Sequence, residues 1–344
     1  DEWRYLPCFA TVGQAFFELG ASVALTNADD VPVLTSNITA LSNSGTTPIV
    51  VAFGFWAIKK NQNSVNAIRD ISDKAHVVLY QSEQIYLSWV IYKQVLDGVQ
   101  IYRAREVWDY SLANIRIYKN RSSPFKFRFM PPGAAALLDA NVSFVDAGRQ
   151  VESIAFLGQR PPPRDLTMTT KLLHAPYIQN NAQLRDFLQQ NPVQILYHRK
   201  SVSLGRTAPL EIVRVAQLLS NKACVISIHY NHEDEELFKG IIHFGNEVDR
   251  SFRLIKHDVR GCQTRSFYRF QRRFAPVELL KKSGFAAVWH EIAAGKNSAH
   301  VSPRTLSGTA GSSLRAAAGL ASSLAHAQVA PGEAAAARPN KNNC

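Results

Sequence analysis

Two short apolar runs, Pro48-Ile-Val-Val-Ala-Phe-Gly54 and Ala75-His-Val-Val-Leu-Tyr80, decide the fold class of this 344-residue chain. Both are mostly apolar and rich in β-branched residues, a pattern typical of parallel strands that are buried on both faces. Helical periodicity lies between and after them, for example over 84–96, and Glu106-Val-Trp108 predicts a third strand. Upstream, residues 7–19 form an amphipathic pattern that predicts a helix. Alternating strand and helix predicts a doubly wound α/β domain.

A second set of strand and helix patterns follows a Pro/Gly loop near residue 132. Strands are predicted over 154–158, 193–197 and 223–227, with a helix over 210–219 and further helices over 262–292. The stretch 21–26 also predicts a strand, directly after a helix-ending glycine. The chain is therefore predicted to contain two Rossmann-like α/β domains that face a cleft.

Composition limits the remaining possibilities. With 46% hydrophobic and 19% charged residues the chain can bury a sizeable core. The exception is 301–344, which is rich in Ala, Ser and Gly, lacks aromatic residues and is predicted to be disordered. The net charge of +12 favours anionic partners such as nucleic acid, an acidic membrane surface or a phosphorylated small molecule.

The four cysteines lie far apart and form no C-x-x-C pair. This spacing predicts neither a zinc site nor a dense disulfide framework, and it favours a reducing, cytoplasmic compartment. Cys224 lies in an apolar strand pattern, where we interpret it as a small buried hydrophobe. The longest apolar run, 48–58, is too short to cross a bilayer.

Several familiar motifs are missing from the sequence. It contains no P-loop, no G-x-G-x-x-G, no Asp-x-Asp, no H-E-x-x-H and no G-x-S-x-G. The absence of these motifs argues against P-loop NTPases, standard dinucleotide enzymes, zinc hydrolases and α/β-hydrolases. Ligands of open α/β sheets bind beyond the carboxyl ends of the strands, so the polar residues that follow each strand are the candidates.

Four segments resemble a poorly characterised, group 1-like subgroup of GT-B-fold glycosyltransferases. They are Val78-Leu-Tyr-Gln-Ser-Glu-Gln-Ile85, the VWDYS segment over 107–114, the loop 132–133, and the stretch 210–227 with its E-x-x-R. The resemblance spans roughly residues 5–285. It implies an acceptor-side domain over 1–140, a nucleotide-sugar domain over 150–275, terminal helices over 276–300, and sugar transfer without a metal or cofactor.

The resemblance places the donor site on the second domain. Glu211, at the start of a helix, can accept two hydrogen bonds from a ribose diol, while the helix N-terminus faces the diphosphate. Arg214 could reach phosphate, although an ordinary ion pair with Glu211 is an equal alternative. The other donor-side candidates follow predicted strands or supply positive charge nearby: Gly158, His198, Arg199, Lys200, Arg206 and Ser227.

The first domain supplies the acceptor side. Glu83 and Asp109 each follow a strand, and either could act as general base for a hydroxyl acceptor. The remaining acceptor-side candidates are Tyr110, Ser111, Asn114 and Gly133.

Two positions depart from the pattern of related sequences: Ser203 stands where a glutamate of E-x7-E is common, and Ile228 where another glutamate is common. A binding protein without transferase activity is therefore an alternative.

One segment favours other partners. Residues 265–274 interleave arginines with aromatic rings, which suits a membrane surface or, less well, nucleic acid. On a helix, however, Phe267, Phe270 and Phe274 would share a face and pack inward. A lipid-linked acceptor would combine transferase activity with peripheral membrane contact. The acidic stretch after Asn231 is interpreted as a solvated loop leading into a helix.

Overall fold

The apolar runs form parallel strands in a computed structural model of the protein. The structure describes residues 6–24, 31–54, 62–85, 89–157, 170–175, 178, 180–197, 210–230 and 232–294. All of them belong to one compact unit, residues 1–299. The tail over 301–344 lies outside the described residues, so its disorder stays a prediction.

The first sheet contains four parallel strands in the order β1-β2-β3-β4. Within the described ranges, five helices precede or separate these strands. The elements are α1 (Leu6–Glu18), α2 (Val31–Asn43), β1 (Ile49–Phe53), α3 (Gln62–Ile71), β2 (His76–Gln81), α4 (Trp89–Ile101), β3 (Glu106–Asp109), α5 (Leu112–Asn120) and β4 (Lys126–Phe129).

The second sheet contains five parallel strands in the order β6-β5-β7-β8-β9. A 3-10 turn, Ala136–Leu138, lies between the two sheets in the chain. The elements are β5 (Ser153–Leu157), β6 (Lys171–Ala175), α6 (Asn181–Gln190), β7 (Val193–Leu196), α7 (Ile212–Ser220), β8 (Cys224–Ser227), α8 (His232–Leu237), β9 (His243–Phe244), α9 (Val248–Ile255), α10 (Val259–Arg273), α11 (Pro276–Lys282) and α12 (Phe285–Ala293).

The predicted α/β class is confirmed, with parallel sheets throughout the described residues. Two element predictions are wrong. Residues 21–24 form no strand, and Val23 is 38% exposed there, while residues 25 and 26 of the predicted strand lie outside the described residues. The helix predicted from residue 84 begins at Trp89, and the Ile85 backbone N–H donates instead to the Asn114 side chain.

The last helices of the described chain pack against the first sheet. The Trp108 and Phe285 ring centroids lie 4.8 Å apart, and one continuous apolar cluster contains residues of both sheets. At the amino end of β3, the buried Glu106 forms a 2.7 Å ion pair with Arg128, which also donates to the Ser283 carbonyl. This arrangement ties α11 and α12 to the first sheet.

A disulfide between Cys224 and Cys262 joins β8 to α10. The predicted burial of Cys224 is confirmed, but the disulfide was not predicted, because the helical turn that supplies its partner lies 38 residues further along the chain. The His243 ring lies beside the pair, with Nε2 3.4 Å from the Cys262 sulfur. These three residues form a group with metal-ligand side chains in the described part of the chain, but its two sulfurs are bonded to each other.

No helix within the described ranges combines the length and the apolar character that a membrane span requires.

Candidate functional site

The carboxyl ends of β2 and β3 lie side by side, with Gln81 paired to Asp109. Asp109 is fully buried and surrounded by donors. Its carboxylate accepts hydrogen bonds from the Ser111 backbone N–H at 2.9 Å, the Tyr118 hydroxyl at 2.8 Å and the Asn114 amide at 3.0 and 3.2 Å. These contacts fix the start of α5, and the role of Asp109 as general base stays a prediction.

Burial raises the pKa of Asp109 to about 7. Hydrogen bonds from Ser111, Tyr118 and Asn114 favour the charged form and oppose this shift, while the charge of Asp234 adds to it. Asp234 belongs to α8 of the second sheet, so carboxyl groups associated with the two sheets act on each other.

The loop after β2 is fixed to α5 by its backbone. The Glu83 carbonyl accepts hydrogen bonds from the side chains of Asn114 at 2.9 Å and Gln81 at 3.2 Å. Glu83 itself is partly exposed, whereas Asp109 is not. Of the two predicted general bases, Glu83 therefore has the more accessible carboxylate.

Three other acceptor-side candidates are packed into the protein. Tyr110 is 2% exposed, and Ser111 is fully buried as the N-cap of α5. The Gly133 backbone N–H donates to the Thr11 hydroxyl at 2.7 Å, and a Cβ on Gly133 would lie 2.3 Å from the Phe274 carbonyl oxygen. The structure gives these residues packing and capping contacts, and their contact with an acceptor stays a prediction.

The environment of Tyr110 brings acidic residues from both sheets together. Burial raises the pKa of this tyrosine well above its ordinary value, and nearby negative charges raise it further. Those charges come from Asp109, Asp234, Glu83 and Glu211. The predicted donor-side and acceptor-side carboxylates therefore lie within electrostatic range of one hydroxyl.

On the second sheet, Glu211 is the N-cap residue of α7, but its side chain does not cap the helix. Its carboxylate forms a 2.9 Å ion pair with Arg214, whose guanidinium lies 5.2 Å from the Phe156 ring centroid. The two charged side chains are 20% and 25% exposed, so the pair is half-buried. The ion-pair alternative is thus present in the structure, and ribose binding by Glu211 stays a prediction.

Of the remaining predicted donor-site residues, only Ser227 lies within the described part of the chain. The Ser227 hydroxyl is buried and lies 3.0 Å from the Ile228 carbonyl oxygen. Ile228 packs against two apolar clusters, so an uncharged side chain suits this position. The other candidates lie outside the described residues: Gly158, His198, Arg199, Lys200, Ser203 and Arg206.

A histidine–carboxylate pair lies just beyond β8, and the sequence analysis did not select it. His229 Nδ1 lies 3.0 and 3.1 Å from the two carboxylate oxygens of Glu235. The Tyr230 backbone N–H also donates to Glu235. This arrangement orients the imidazole at the carboxyl end of the sheet, where a ring nitrogen could contact a phosphate or a hydroxyl. The i,i+6 spacing of histidine and glutamate is a weak signal in sequence.

The interpretation of the acidic stretch as a solvated loop is wrong. It forms α8, and Asp234 is fully buried there, accepting the Leu210 backbone N–H at 2.9 Å. Burial raises the pKa of Asp234 to about 7. The neighbouring Glu233 forms a 2.7 Å ion pair with Arg116 of α5. Asp234 contacts backbone instead of solvent because its partner comes from elsewhere in the chain, whereas Glu233 and Glu236 remain 37% and 58% exposed.

The inward-packing alternative for 265–274 is confirmed at Phe270 and Phe274, which are fully buried in α10. Two of the arginines are also engaged within the protein. Arg269 donates to the Gly240 carbonyl at 2.7 Å and Arg273 to the Leu237 carbonyl at 3.0 Å. Contact of α10 with a membrane or nucleic acid stays a prediction.

No protein-family model and no curated protein sequence matches this chain. Among solved structures, sucrose-phosphate synthase from Thermosynechococcus elongatus is similar over 78% of this chain and 79% of that one, with 9% identity and a TM-score of 0.48. The N-terminal domain of Candida albicans trehalose-6-phosphate phosphatase is similar over 85% of this chain and 81% of that one, with 8% identity and a TM-score of 0.44. Neither TM-score reaches 0.5, and the α/β class rests on the sheets of this chain.

Proposed function

We propose that the protein is a GT-B-like glycosyltransferase that binds a nucleotide-sugar beside the carboxyl end of the second sheet and transfers the sugar to a hydroxyl acceptor. One observation carries the proposal: the Glu211 carboxylate lies at the start of α7, is paired with Arg214, and its charge acts on Tyr110 of the acceptor side. A carboxylate at a helix start can accept hydrogen bonds from a ribose diol. Arg214 orients it at 2.9 Å and supplies positive charge nearby.

The proposal assigns separate tasks to the other groups. His198, Arg199, Lys200 and Arg206 would neutralise the diphosphate, a task that needs no metal or cofactor. His229, held by Glu235, would add a hydrogen bond to phosphate or to the acceptor. Glu83 is the preferred general base, because Asp109 is enclosed by donors.

A thermal-shift screen tests donor binding, since a ligand that binds only the folded state raises its stability. The probes are uridine, guanosine and adenosine diphosphates and their glucose conjugates. At 100 times Kd the expected stabilisation is about 2.7 kcal/mol. We expect one nucleoside to stabilise the wild type and Glu247→Ala but not Glu211→Ala. Glu247 is a matched control, because it is also a helix N-cap whose side chain makes no cap bond.

Equal stabilisation of the wild type and both variants would remove Glu211 from the binding site. Absence of stabilisation by all six probes would contradict the proposed donor class.

A nucleotide-sugar-binding protein without transferase activity is the second candidate. Ile228, which packs between two apolar clusters, favours it, because related sequences commonly carry a glutamate there. Incubation with the bound donor and measurement of released nucleoside diphosphate separate the two functions. Turnover that Glu83→Gln abolishes supports transfer, and binding without turnover supports the second candidate.

A further inference from the structure

Asp234 joins the helix that begins at the proposed nucleotide site to the rest of the fold. It lies in α8, is fully buried, and accepts the Leu210 backbone N–H through Oδ2 at 2.9 Å. Leu210 directly precedes Glu211. The Asp234 carboxylate therefore fixes the backbone N–H of Leu210, the residue that precedes the proposed ribose-binding side chain.

The same carboxylate also faces the first sheet. The Leu112 backbone N–H, at the start of α5, favours the charged form of Asp234. Next to it, Arg116 of α5 and Glu233 of α8 form a 2.7 Å ion pair. One buried carboxylate thus lies between the first turn of the acceptor-side helix and the residue before Glu211.

We propose that Asp234 is a positioning residue of the nucleotide site, which holds Glu211 in register with the acceptor-side helix α5. This inference rests on the proposed function. Asp234 reaches substrate only through Leu210 and Glu211, so it is not a catalytic residue. The titratable groups that face it belong to both sheets: Arg116, Glu233, Asp109 and Tyr110.

The test compares Asp234→Asn with Glu236→Gln. Glu236 lies on the same helix but is 58% exposed and pairs with Lys239, so its variant controls for a lost carboxylate on α8. Exchange of the Leu210 amide proton, followed by NMR, reports the hydrogen bond directly. We expect about tenfold faster exchange in Asp234→Asn and less than a twofold change in Glu236→Gln, because hydrogen bonds to charged acceptors are the stronger ones.

The nucleotide measurement uses the nucleoside diphosphate that stabilises the wild type. We expect its Kd to rise about tenfold in Asp234→Asn at pH 8. Burial raises the pKa of Asp234 to about 7, so the wild-type carboxyl is protonated at pH 6 and the ratio of the two Kd values should fall toward 1 there. A residue with only a structural role would give a ratio that does not change with pH.

Unchanged exchange at Leu210, or a Kd ratio that is constant between pH 6 and pH 8, overturns the inference. If Asp234→Asn does not fold, Glu233→Gln replaces it, because loss of its ion pair with Arg116 should loosen the same junction. Faster Leu210 exchange in that variant supports the inference, and wild-type exchange contradicts it. If no nucleoside diphosphate binds the wild type, the proposed function fails, while the Leu210 amide still decides whether Asp234 holds this peptide.

Discussion

Replacing Asp109 by Asn should change how the stability of the protein depends on pH. In the folded state burial raises the pKa of Asp109 from its ordinary value of 3.8 to about 7. Between these values the unfolded chain loses a proton that the folded protein keeps. The contribution of Asp109 to stability is therefore complete below pH 3.8 and is lost as the pH rises through about 7.

The size of the effect follows from the two pKa values. Each pH unit between them is worth about 1.4 kcal/mol, so the whole contribution is about 4 kcal/mol. From pH 5 to pH 7, the unfolding free energy of the wild type minus that of Asp109→Asn should fall by about 2 kcal/mol. Taking the difference cancels the titration of groups that the two proteins share.

Urea unfolding at half-unit pH intervals measures this difference. Asp73→Asn controls for the loss of a carboxylate, because Asp73 is 79% exposed. Tyr118→Phe removes a donor that lowers the pKa of Asp109, so it should extend the fall to higher pH. A difference that stays flat or rises from pH 5 to pH 7 in Asp109→Asn would refute the reasoning.

Three further perturbations test the fold that supports the site. Glu106→Gln should lower the unfolding free energy by about 3 kcal/mol in urea titrations, because it leaves a buried guanidinium without its ion-pair partner; full stability would contradict this. Reduction of Cys224–Cys262, whose cysteines are separated by 38 positions in sequence, should lower stability by about 4 kcal/mol, and an unchanged urea midpoint in reductant would argue against the bond. Gly133→Ala should lower the melting temperature, because the added Cβ would lie 2.3 Å from the Phe274 carbonyl oxygen. Gly13→Ala is the control and should not lower it, because its added Cβ would lie 3.6 Å from the nearest side-chain atom.

The central strands β2, β5, β7 and β8 were predictable from sequence because their largely apolar pattern is determined by burial on both faces. β1 was predicted from a similar apolar run, although it is an edge strand with four of its five residues only partly buried, and β3 was predicted from the short segment Glu106-Val-Trp108. By contrast, β4 (Lys126-Phe-Arg-Phe129) is an edge strand that alternates charged and aromatic residues and includes an exposed lysine. It therefore contains no apolar run from which a strand could be predicted. An edge strand can contain fewer apolar residues than a central strand, so apolar runs in the sequence are a weaker predictor of edge strands.

The candidate site was predictable only where it follows from a local pattern. Glu211 begins a helix as predicted, because the helical periodicity of α7 fixes its start. Asp234 was missed because its partner, the Leu210 N–H, lies 24 positions away and a run of acidic residues usually indicates solvent. Pairing of His229 with Glu235 likewise depends on how α8 turns back toward β8.

Hydrogen–deuterium exchange with and without the stabilising nucleoside diphosphate tests the central claim most directly, because it locates the bound nucleotide on the chain. If the nucleotide binds at the start of α7, we expect slower exchange of the backbone amides over 210–214 and 227–230, at the start of α7 and the end of β8. Both protections should be lost in Glu211→Ala and kept in Glu247→Ala. Protection confined to α10, with no change at α7, would contradict nucleotide binding at the start of α7.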